Sequence, residues 1–331
     1  MQRRRLLLSA PWLAAGGSAA WSAAYGATHP AFDGMAQHIA TQCPDVESVV
    51  VLRDERLLFE YYKAGSDGDT LRDVQSVTKS VLAMAVGAAL GQGALRSLDQ
   101  PVTELLPGAA PAGDAAALTF RHLLTMTAGF ATVERFARAT ADDPAFLLRR
   151  ERVAAPGARF AYDNLSANLL SVALQAAVGR TSAAFAQQQL FAPLQIRDFA
   201  WAAGAGGHSL GFSGLRLRSR DMTQLGRLML LQGQWQGRSL LPEAYVQQAV
   251  TAHSPGGPPA NLPYGYLWWL LPSEGEAKTY FASGYGGQML WVHRPLNLVI
   301  AATSEVSAGS QARAQVLPLV RTQLFRAAAS A

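Results

Sequence analysis

A serine and a lysine three positions apart carry the clearest chemical signal in the sequence. The S-x-x-K motif that runs from Ser76 to Lys79 opens an apolar stretch, which predicts a buried helix ending near Gly91. Residues three apart share one helical face, so the Lys79 amine can reach the Ser76 hydroxyl. A desolvated amine can be neutral enough to take the hydroxyl proton, and the free N–H groups at a helix N-terminus favour a developing oxyanion. The pair predicts a serine nucleophile with a lysine activator.

Coincidence is the alternative explanation for this pair. The chain has only three lysines, Lys63, Lys79 and Lys278. A lysine on the core side of a buried helix is also costly unless it has a function. Both points favour the catalytic interpretation.

The only Y-x-N in the chain, from Tyr162 to Asn164, follows a Pro-Gly turn. Tyr162 can serve as a phenolate-like base or a proton shuttle, with its pKa lowered by a nearby Lys79 ammonium. Asn164 can donate a hydrogen bond to a substrate carbonyl or orient Lys79. A lone loop tyrosine is more often a packing residue, but the upstream S-x-x-K favours a functional role.

A third candidate segment runs from Ala282 to Gly287 and contains Ser283 and Gly284. Glycines beside a strand let a substrate approach the backbone closely. A strand edge opposite Ser76 would supply a second N–H group for an oxyanion. A plain β-turn explains these residues equally well.

A second serine, Ser209, lies in a G-x-S-x-G match from Gly207 to Gly211, which is the nucleophile-elbow pattern of α/β-hydrolases. That motif needs a strand before it and a helix after it. The preceding residues are too glycine-rich for a buried strand, and the following ones read as a loop. We expect a glycine-rich loop near the mouth of the site and keep the elbow as an alternative.

The elements that must position these residues follow from the hydrophobic patterning. A short helix is predicted at 32–42, a hairpin at 46–52 and 56–62, and a final helix at 311–326. Helical signals between them cover 121–126, 165–178, 183–190 and 220–231. The Pro/Gly-rich residues 254–259 read as a break, and strands are predicted at 265–271, 288–292 and 298–303. The predicted class is α/β (α+β): an antiparallel sheet built from both chain termini, flanked by helices, with an inserted all-helical subdomain.

Charge and composition exclude some functions. The 331 residues carry a formal charge of +5, yet three of the 28 basic residues are Arg3, Arg4 and Arg5, and no acidic residue precedes Asp33. An uncharged stretch follows to about residue 27. This is typical of an export signal and resembles a twin-arginine signal; an uncleaved membrane anchor is the alternative. We expect cleavage, a periplasmic or secreted location and no stable membrane insertion afterwards.

The chain without this signal has 25 basic and 23 acidic residues. This small excess of positive charge gives no basis for nucleic-acid binding.

The single cysteine and the histidines give little indication of a metal site or of a reactive thiol. Cys43 is the only cysteine, so no internal disulfide can form, and it reads as an inert buried side chain. The six histidines lack metal-ligand spacing and no nucleotide fingerprint is present. We expect no metal and no cofactor.

Taken together, these motifs resemble the superfamily of serine β-lactamases, penicillin-binding proteins and related esterases. The closest likeness is to its class C-type branch, which includes esterases, D-amino-acid peptidases and nylon-oligomer hydrolases. The likeness covers roughly residues 45 to 303. It also takes in the Leu-Leu-Thr-Met-Thr segment at 123–127 and the Arg-Asp-Met segment at 220–222.

The resemblance implies roles for individual residues. Ser76 would be the nucleophile, Lys79 its activator and Tyr162 the acid/base, with the backbone N–H groups of Ser76 and Tyr285 as the oxyanion hole. Asn164, Ser283 and Gly284 would bind substrate. The family's basic residue in the third motif falls on Ala282, which argues against β-lactams and D,D-peptides as substrates. Asp163 replaces the usual serine between Tyr and Asn, a change that we expect to have little consequence.

The sequence therefore predicts a single β-lactamase-like hydrolase domain at 28–331 after a signal at 1–27. Residues 28–97 and 255–331 would form its α/β part and 98–254 its mainly helical part. The predicted reaction cleaves an ester or amide bond of a small molecule through an acyl-enzyme. A β-lactamase or peptidoglycan D,D-peptidase of the same fold is the first alternative. An α/β-hydrolase using Ser209 and a non-catalytic binding relative are the others.

Overall fold

The computed structural model describes residues 29–106, 108–109, 117–133, 137, 140–272 and 278–331. The predicted export signal at 1–27 lies outside these residues. Within them, no single helix has the length and apolarity of a membrane span.

Helices and strands alternate along the chain in a mixed α/β architecture. The strands are β1 (Val46–Arg53), β2 (Arg56–Tyr62), β3 (Arg72–Asp73), β4 (Ala200–Trp201), β5 (Leu215–Leu217), β6 (Gln234–Trp235), β7 (Arg238–Ser239), β8 (Ser254–Gly257), β9 (Leu262–Tyr264), β10 (Trp269–Leu270), β11 (Thr279–Gly284), β12 (Gln288–His293) and β13 (Leu298–Ser304). The α-helices are α1 (Met35–Gln42), α2 (Val77–Gly91), α3 (Phe120–Leu124), α4 (Pro144–Leu148), α5 (Asn164–Val178), α6 (Ser182–Ala186), α7 (Ser219–Leu230), α8 (Glu243–Ala249), α9 (Ser310–Pro318) and α10 (Phe325–Ser330). Wider π-type turns at Gln187–Phe191 and Leu319–Leu324 extend α6 and join α9 to α10.

The two ends of the chain meet in one eight-stranded antiparallel sheet. Its strand order is β2-β1-β13-β12-β11-β10-β9-β8. The N-terminal hairpin joins the C-terminal strands through β1 and β13, where Val50 lies opposite Ala301. The predicted sheet from both termini is therefore confirmed.

Side chains alternate between the two faces of the sheet, as strand geometry requires. Leu290 and Val292 point toward α7, where a Cβ added to Gly226 would meet Val299 Cγ1 at 2.5 Å. This close approach requires glycine in α7. On the opposite face Trp291 stacks on Phe281 and meets the C-terminal Phe325 ring at 5.9 Å. Helices therefore cover both faces.

Three segments of the large sheet differ from the sequence prediction. The predicted break at 254–259 contains β8, which forms the sheet edge, where proline and glycine are tolerated. The predicted strand at 265–271 is interrupted by Leu267, whose φ is +58°, so only β10 remains. Strand β11 was not predicted, although Thr279, Tyr280 and Phe281 are strong strand formers.

Residues 98–254 hold most of the shorter helices and the β6–β7 hairpin. Their strands β4 and β5 join β3, from the N-terminal part, in a three-stranded sheet of order β3-β5-β4. Helix α7 packs on the large sheet rather than on the other helices, because its Gly226 faces β12 and β13. Helix α2 is central, with nearly all of its residues buried. Its first residue follows Ser76 directly, so the core itself fixes the position of that serine.

Candidate active site

Ser76 is the N-cap residue of α2 and follows a constrained backbone. Gln75 has a positive φ of +49°, which is unfavourable for a residue with a side chain. The Asp73 carboxylate holds this conformation, because it accepts hydrogen bonds from Gln75 N–H at 2.8 Å and from Gln75 Nε2 at 2.9 Å. Val77 N–H and Thr78 N–H then close the first turn onto the carbonyls of Val74 and Gln75. The turn directs the Ser76 side chain into the space beside Lys79 and Tyr162.

Lys79 lies one helical turn after Ser76 and is 1% exposed. Its Nζ is 2.8 Å from Ser76 Oγ, 2.9 Å from Asn164 Oδ1 and 3.0 Å from the Phe212 carbonyl oxygen. All three contacts are neutral groups. Burial therefore lowers the pKa of Lys79 to about 7, while the Asp163 carboxylate attracts the ammonium and opposes this shift. At neutral pH a large fraction of Lys79 is an uncharged amine in contact with the Ser76 hydroxyl.

Tyr162 also reaches Ser76, but its ionisation differs from the sequence prediction. Burial raises the pKa of Tyr162 to about 12, and a hydrogen bond with Ser76 and the positive charge of Arg313 oppose that shift only in part. Lys79 Nζ lies 4.9 Å from the centre of the Tyr162 ring. The predicted lowering of the Tyr162 pKa by Lys79 is wrong, because burial raises this pKa by more than Ser76 and Arg313 lower it. Tyr162 is a neutral phenol that can donate a proton.

The Tyr162–Asn164 segment enters α5, and Asp163 between them is the N-cap of that helix. Its carboxylate accepts from the N–H groups of Leu165 at 3.2 Å and Ser166 at 2.9 Å. It also forms an ion pair with Arg150 at 2.7 Å. Serine at this position could make the cap but not the ion pair, so Asp163 adds a contact that the sequence analysis did not predict.

Ser283 and Gly284 end strand β11 beside Ser76 rather than forming a turn. A Cβ added to Gly284 would lie 2.6 Å from the Val74 carbonyl oxygen and 2.9 Å from Gln75 Cβ, so only glycine permits this approach. Tyr285 follows as the first residue of a short 3₁₀ turn. Among the described residues, neither Ser76 N–H nor Tyr285 N–H has a hydrogen-bond acceptor, and Ser283 Oγ is shielded without a partner.

An aromatic cluster that the sequence analysis missed forms one side of this space. Tyr162 stacks on Trp269 with ring centres 5.7 Å apart, and Phe160 meets Tyr264 edge-on at 5.2 Å. Phe160, two residues before Tyr162, is the only member that the local motif would have indicated. Tyr264 and Trp269 come from β9 and β10, and no motif in the sequence indicated that they lie near Ser76.

The loop around Ser209 lies behind the site and supports it. Ser209 is 3% exposed, its Oγ accepts from Ala183 N–H at 3.0 Å, and its carbonyl accepts from Ser171 Oγ at 2.7 Å. The next element after Ser209 is strand β5 rather than a helix, so the α/β-hydrolase alternative fails on geometry. The expected glycine-rich loop near the site is present, because the Phe212 carbonyl that follows it contacts Lys79.

Arg313 is a second residue that sequence reasoning missed. It lies in α9, half-buried, and its Cα would be 3.2 Å from a Cβ added to Gly287 in the turn after Tyr285. No carboxylate in the described part of the chain forms a salt bridge with it. Its charge acts on the Tyr162 phenol. Arg313 therefore supplies a positive charge near Tyr162, whereas Ala282 supplies none.

The described residues offer no obvious metal centre. Among them, no group of three or more His, Cys, Asp or Glu side chains is arranged to hold a metal ion. Cys43 is buried, and burial raises the pKa of its thiol, so it is not a reactive thiolate.

Comparison with known proteins places this arrangement in a family. The chain is 24% identical over 302 aligned residues to a 6-aminohexanoate-dimer hydrolase from Paenarthrobacter ureafaciens, covering 80% of this chain and 76% of the relative. The crystal structure of a penicillin-binding protein homolog from Caulobacter crescentus superimposes with a TM-score of 0.72 at 14% identity, covering 91% of this chain and 99% of that one.

A third similar structure is EstCE1, a hydrolase with promiscuous acyltransferase activity. Its TM-score is 0.67 at 18% identity, over 86% of this chain and 97% of that one. The family model named Beta-lactamase matches residues 32–323, nearly the whole chain. The chain therefore belongs to the beta-lactamase family.

Proposed function

We propose that this protein is a serine hydrolase that cleaves an ester or amide bond of a small molecule through an acyl-enzyme on Ser76. One observation supports it above all: a buried lysine amine with a pKa of about 7 lies 2.8 Å from the Ser76 hydroxyl. An amine of this pKa is matched to proton transfer near neutral pH. The 6-aminohexanoate-dimer hydrolase and EstCE1 likenesses support hydrolysis of amides or esters.

In the proposed acylation step, neutral Lys79 takes the proton of Ser76 as Oγ bonds to the substrate carbonyl carbon. The negative charge that develops on the carbonyl oxygen is stabilised by the N–H groups of Ser76 and Tyr285, which have no acceptor among the described residues. Tyr162 then gives its proton to the leaving group as the carbonyl–leaving-group bond breaks, and the Lys79 ammonium restores the phenol proton. A water molecule releases the acyl group by the same path in reverse.

Asn164 is proposed to orient Lys79, because its Oδ1 accepts at 2.9 Å and leaves its amide NH₂ for the substrate. Ser283 Oγ has no partner among the described residues and borders the same space, which supports a substrate contact. The Phe160, Tyr264 and Trp269 rings favour an apolar group on the substrate.

A second candidate function is hydrolysis of an amide that carries a carboxylate, as in β-lactams and D-peptides. Ala282 argues against it, because the usual positive charge is missing from β11. Arg313 favours it, since this half-buried residue of α9 has no carboxylate partner in the described chain and its positive charge acts on Tyr162. Because these two observations oppose each other, turnover of substrates with and without a carboxylate is needed to distinguish the two functions.

The test compares Ser76→Ala with Ser209→Ala on three substrates: a chromogenic short-chain ester, a linear amide and a cephalosporin. Ser76→Ala should lose turnover of every substrate that the wild type cleaves, while Ser209→Ala retains it. A fluorophosphonate should add to Ser76 in the wild type, as read by peptide mass spectrometry. Turnover that survives Ser76→Ala would refute the assignment, and failure of labelling and of all three substrates would favour a binding-only protein.

The sequence also supports export of the chain. Arg3, Arg4 and Arg5 before an uncharged stretch are the supporting features. Expression in a bacterial host followed by intact-mass analysis should find a periplasmic product shortened by about 27 residues. Replacing Arg3 and Arg4 with lysine should block export if the twin-arginine route is used. A full-length cytosolic product would contradict the proposal.

A further inference from the structure

The residue between Tyr162 and Asn164 is part of a buried ion pair that the proposed reaction does not use. Asp163 and Arg150 are each 4% exposed, and their charged groups are 2.7 Å apart. Burying two charges is costly, and such a pair often stabilises a fold no better than apolar residues would. Stability alone therefore does not explain why this ion pair lies next to two active-site residues.

Asp163 uses both carboxylate oxygens. Oδ1 accepts from Leu165 N–H, and Oδ2 accepts from Ser166 N–H, from Ser166 Oγ at 2.5 Å and from Arg150. These bonds fix the first turn of α5. Because Asn164 is the first residue of that helix and Tyr162 precedes it, the carboxylate determines where both side chains start.

Arg150 also makes several contacts besides its ion pair with Asp163. Its Nε donates to the Leu147 carbonyl at the end of α4, its Nη2 donates to Ser166 Oγ at 3.3 Å, and its guanidinium lies 4.1 Å from the centre of the Phe130 ring. The pair therefore joins the end of α4 to the start of α5. Neither charge can rotate away into solvent.

The same carboxylate is the charged group that acts on Lys79. The hydrogen-bond partners of Lys79 are neutral, whereas Asp163 attracts the ammonium through space and raises the pKa of Lys79 against the effect of burial. Of the other titratable groups around it, Tyr162 faces Lys79 from the segment before α5 as a neutral phenol, and Ser76 faces it from its own helix. Phe212 contributes only its carbonyl and ring. Arg313, from α9, acts on Tyr162, and Arg150 lies beyond Asp163.

We propose that the buried Arg150–Asp163 pair is a positioning element of the active site: it fixes the segment that places Tyr162 and Asn164 against Lys79, and it holds a negative charge within that segment. Asp163 holds Tyr162 and Asn164 in place and supplies a fixed negative charge. Arg150 holds that carboxylate in place through the ion pair at 2.7 Å. The inference rests on the proposed function, because it assumes that neutral Lys79 activates Ser76.

The test measures the pH dependence of fluorophosphonate labelling of Ser76, which reports activation of the hydroxyl without needing a substrate. Asp163→Asn keeps an oxygen that can cap α5 but removes the negative charge. The Lys79 ammonium then loses an attractive neighbour, so the labelling midpoint should move to lower pH, by about one unit. Asp163→Asn with Arg150→Met removes both charges and should shift the midpoint in the same direction.

Asp142→Asn is the matched control. Asp142 is a buried carboxylate that accepts from the backbone N–H groups of Gly206 and His208, both at 3.1 Å, and it does not act on Lys79. Its replacement should leave the labelling midpoint in place. Thermal unfolding of every variant shows which of them fold.

The outcomes separate this inference from the proposed function. Absence of Ser76 labelling in the wild type would overturn the proposed function, and this inference with it. Labelling with an unshifted midpoint in folded Asp163→Asn and in the folded double variant would overturn this inference alone. Loss of folding in both variants would assign the pair to stability only and would equally overturn it.

Discussion

Lys79 and Arg150 are both buried cations, and their surroundings are opposite. Lys79, at 1% exposure, is surrounded by a hydroxyl, an amide oxygen and a backbone carbonyl, and burial lowers its pKa to about 7. Arg150, at 4% exposure, has a carboxylate at 2.7 Å and an aromatic ring below it. Burial lowers the pKa of Arg150 as well, but the Asp163 carboxylate opposes the shift and its usual value is far above neutral.

The difference shows how one core uses burial in two ways. A buried cation with only neutral partners can lose its proton near neutral pH and so can do chemistry. A buried guanidinium with a carboxylate partner stays charged and fixes geometry. Asp163 connects the two, because it pairs with Arg150 and acts on Lys79 from a distance.

Removing the reactive cation should have the largest effect. Lys79→Met leaves Ser76 without a base, so turnover should fall by about 10²- to 10⁴-fold. Lys63→Met is the control, since Lys63 is an exposed lysine whose amine donates a hydrogen bond to the Pro44 carbonyl, away from Ser76. Steady-state kinetics on the best substrate from the panel above measure the effect. Equal activity of the two variants would exclude Lys79 from the reaction.

Breaking the paired cation should instead cost stability. Arg150→Met leaves the Asp163 carboxylate buried without its partner, so the free energy of unfolding should fall by about 3–5 kcal/mol. The double replacement with Asp163→Asn should recover part of this loss, because no uncompensated charge remains. Urea unfolding of the two single variants and the double variant measures the coupling energy. Simple additivity would show that the pair does not interact.

The two cations should also differ in how stability depends on pH. The pKa of Lys79 is about 7 in the folded chain against a usual value of 10.5, so between these values the unfolded chain binds more protons. The free energy of unfolding of the wild type should therefore rise with pH relative to Lys79→Met, by up to about 1.4 kcal/mol per pH unit. Urea unfolding of both proteins at pH 6 to 10 tests this. Parallel curves would show that the Lys79 pKa is not lowered.

The smallest effect is expected at the serine with the more familiar local motif. Ser209→Ala removes the acceptor for Ala183 N–H near the start of α6, so stability should fall by about 1 kcal/mol. Activity should stay within a few-fold of wild type, because Ser209 does not face Lys79. A loss comparable to that of Ser76→Ala would reinstate the elbow interpretation.

Local patterns predicted much of the fold. Strands β1, β2, β12 and β13, and helices α2, α5 and α7, follow from the apolar periodicity within a residue or two. The errors are in β8, β10 and β11, where edge position, a positive φ at Leu267 and pairing with β12 outweigh local composition. These are properties of a strand's neighbours, and one strand's sequence does not contain them.

The sequence by itself determined the reactive pair, because Ser76 and Lys79 lie three residues apart on one helix and helical geometry brings them together. It also indicated Tyr162 and Asn164, through a motif, but with the wrong ionisation for Tyr162. The protonation states of Lys79 and Tyr162, in contrast, depend on the tertiary structure. The pKa values of Lys79 and Tyr162 depend on burial and on Asp163 and Arg313, and the Phe212 carbonyl comes from 133 residues away. Spacing along the chain specifies which atoms can meet, whereas desolvation depends on everything packed around them.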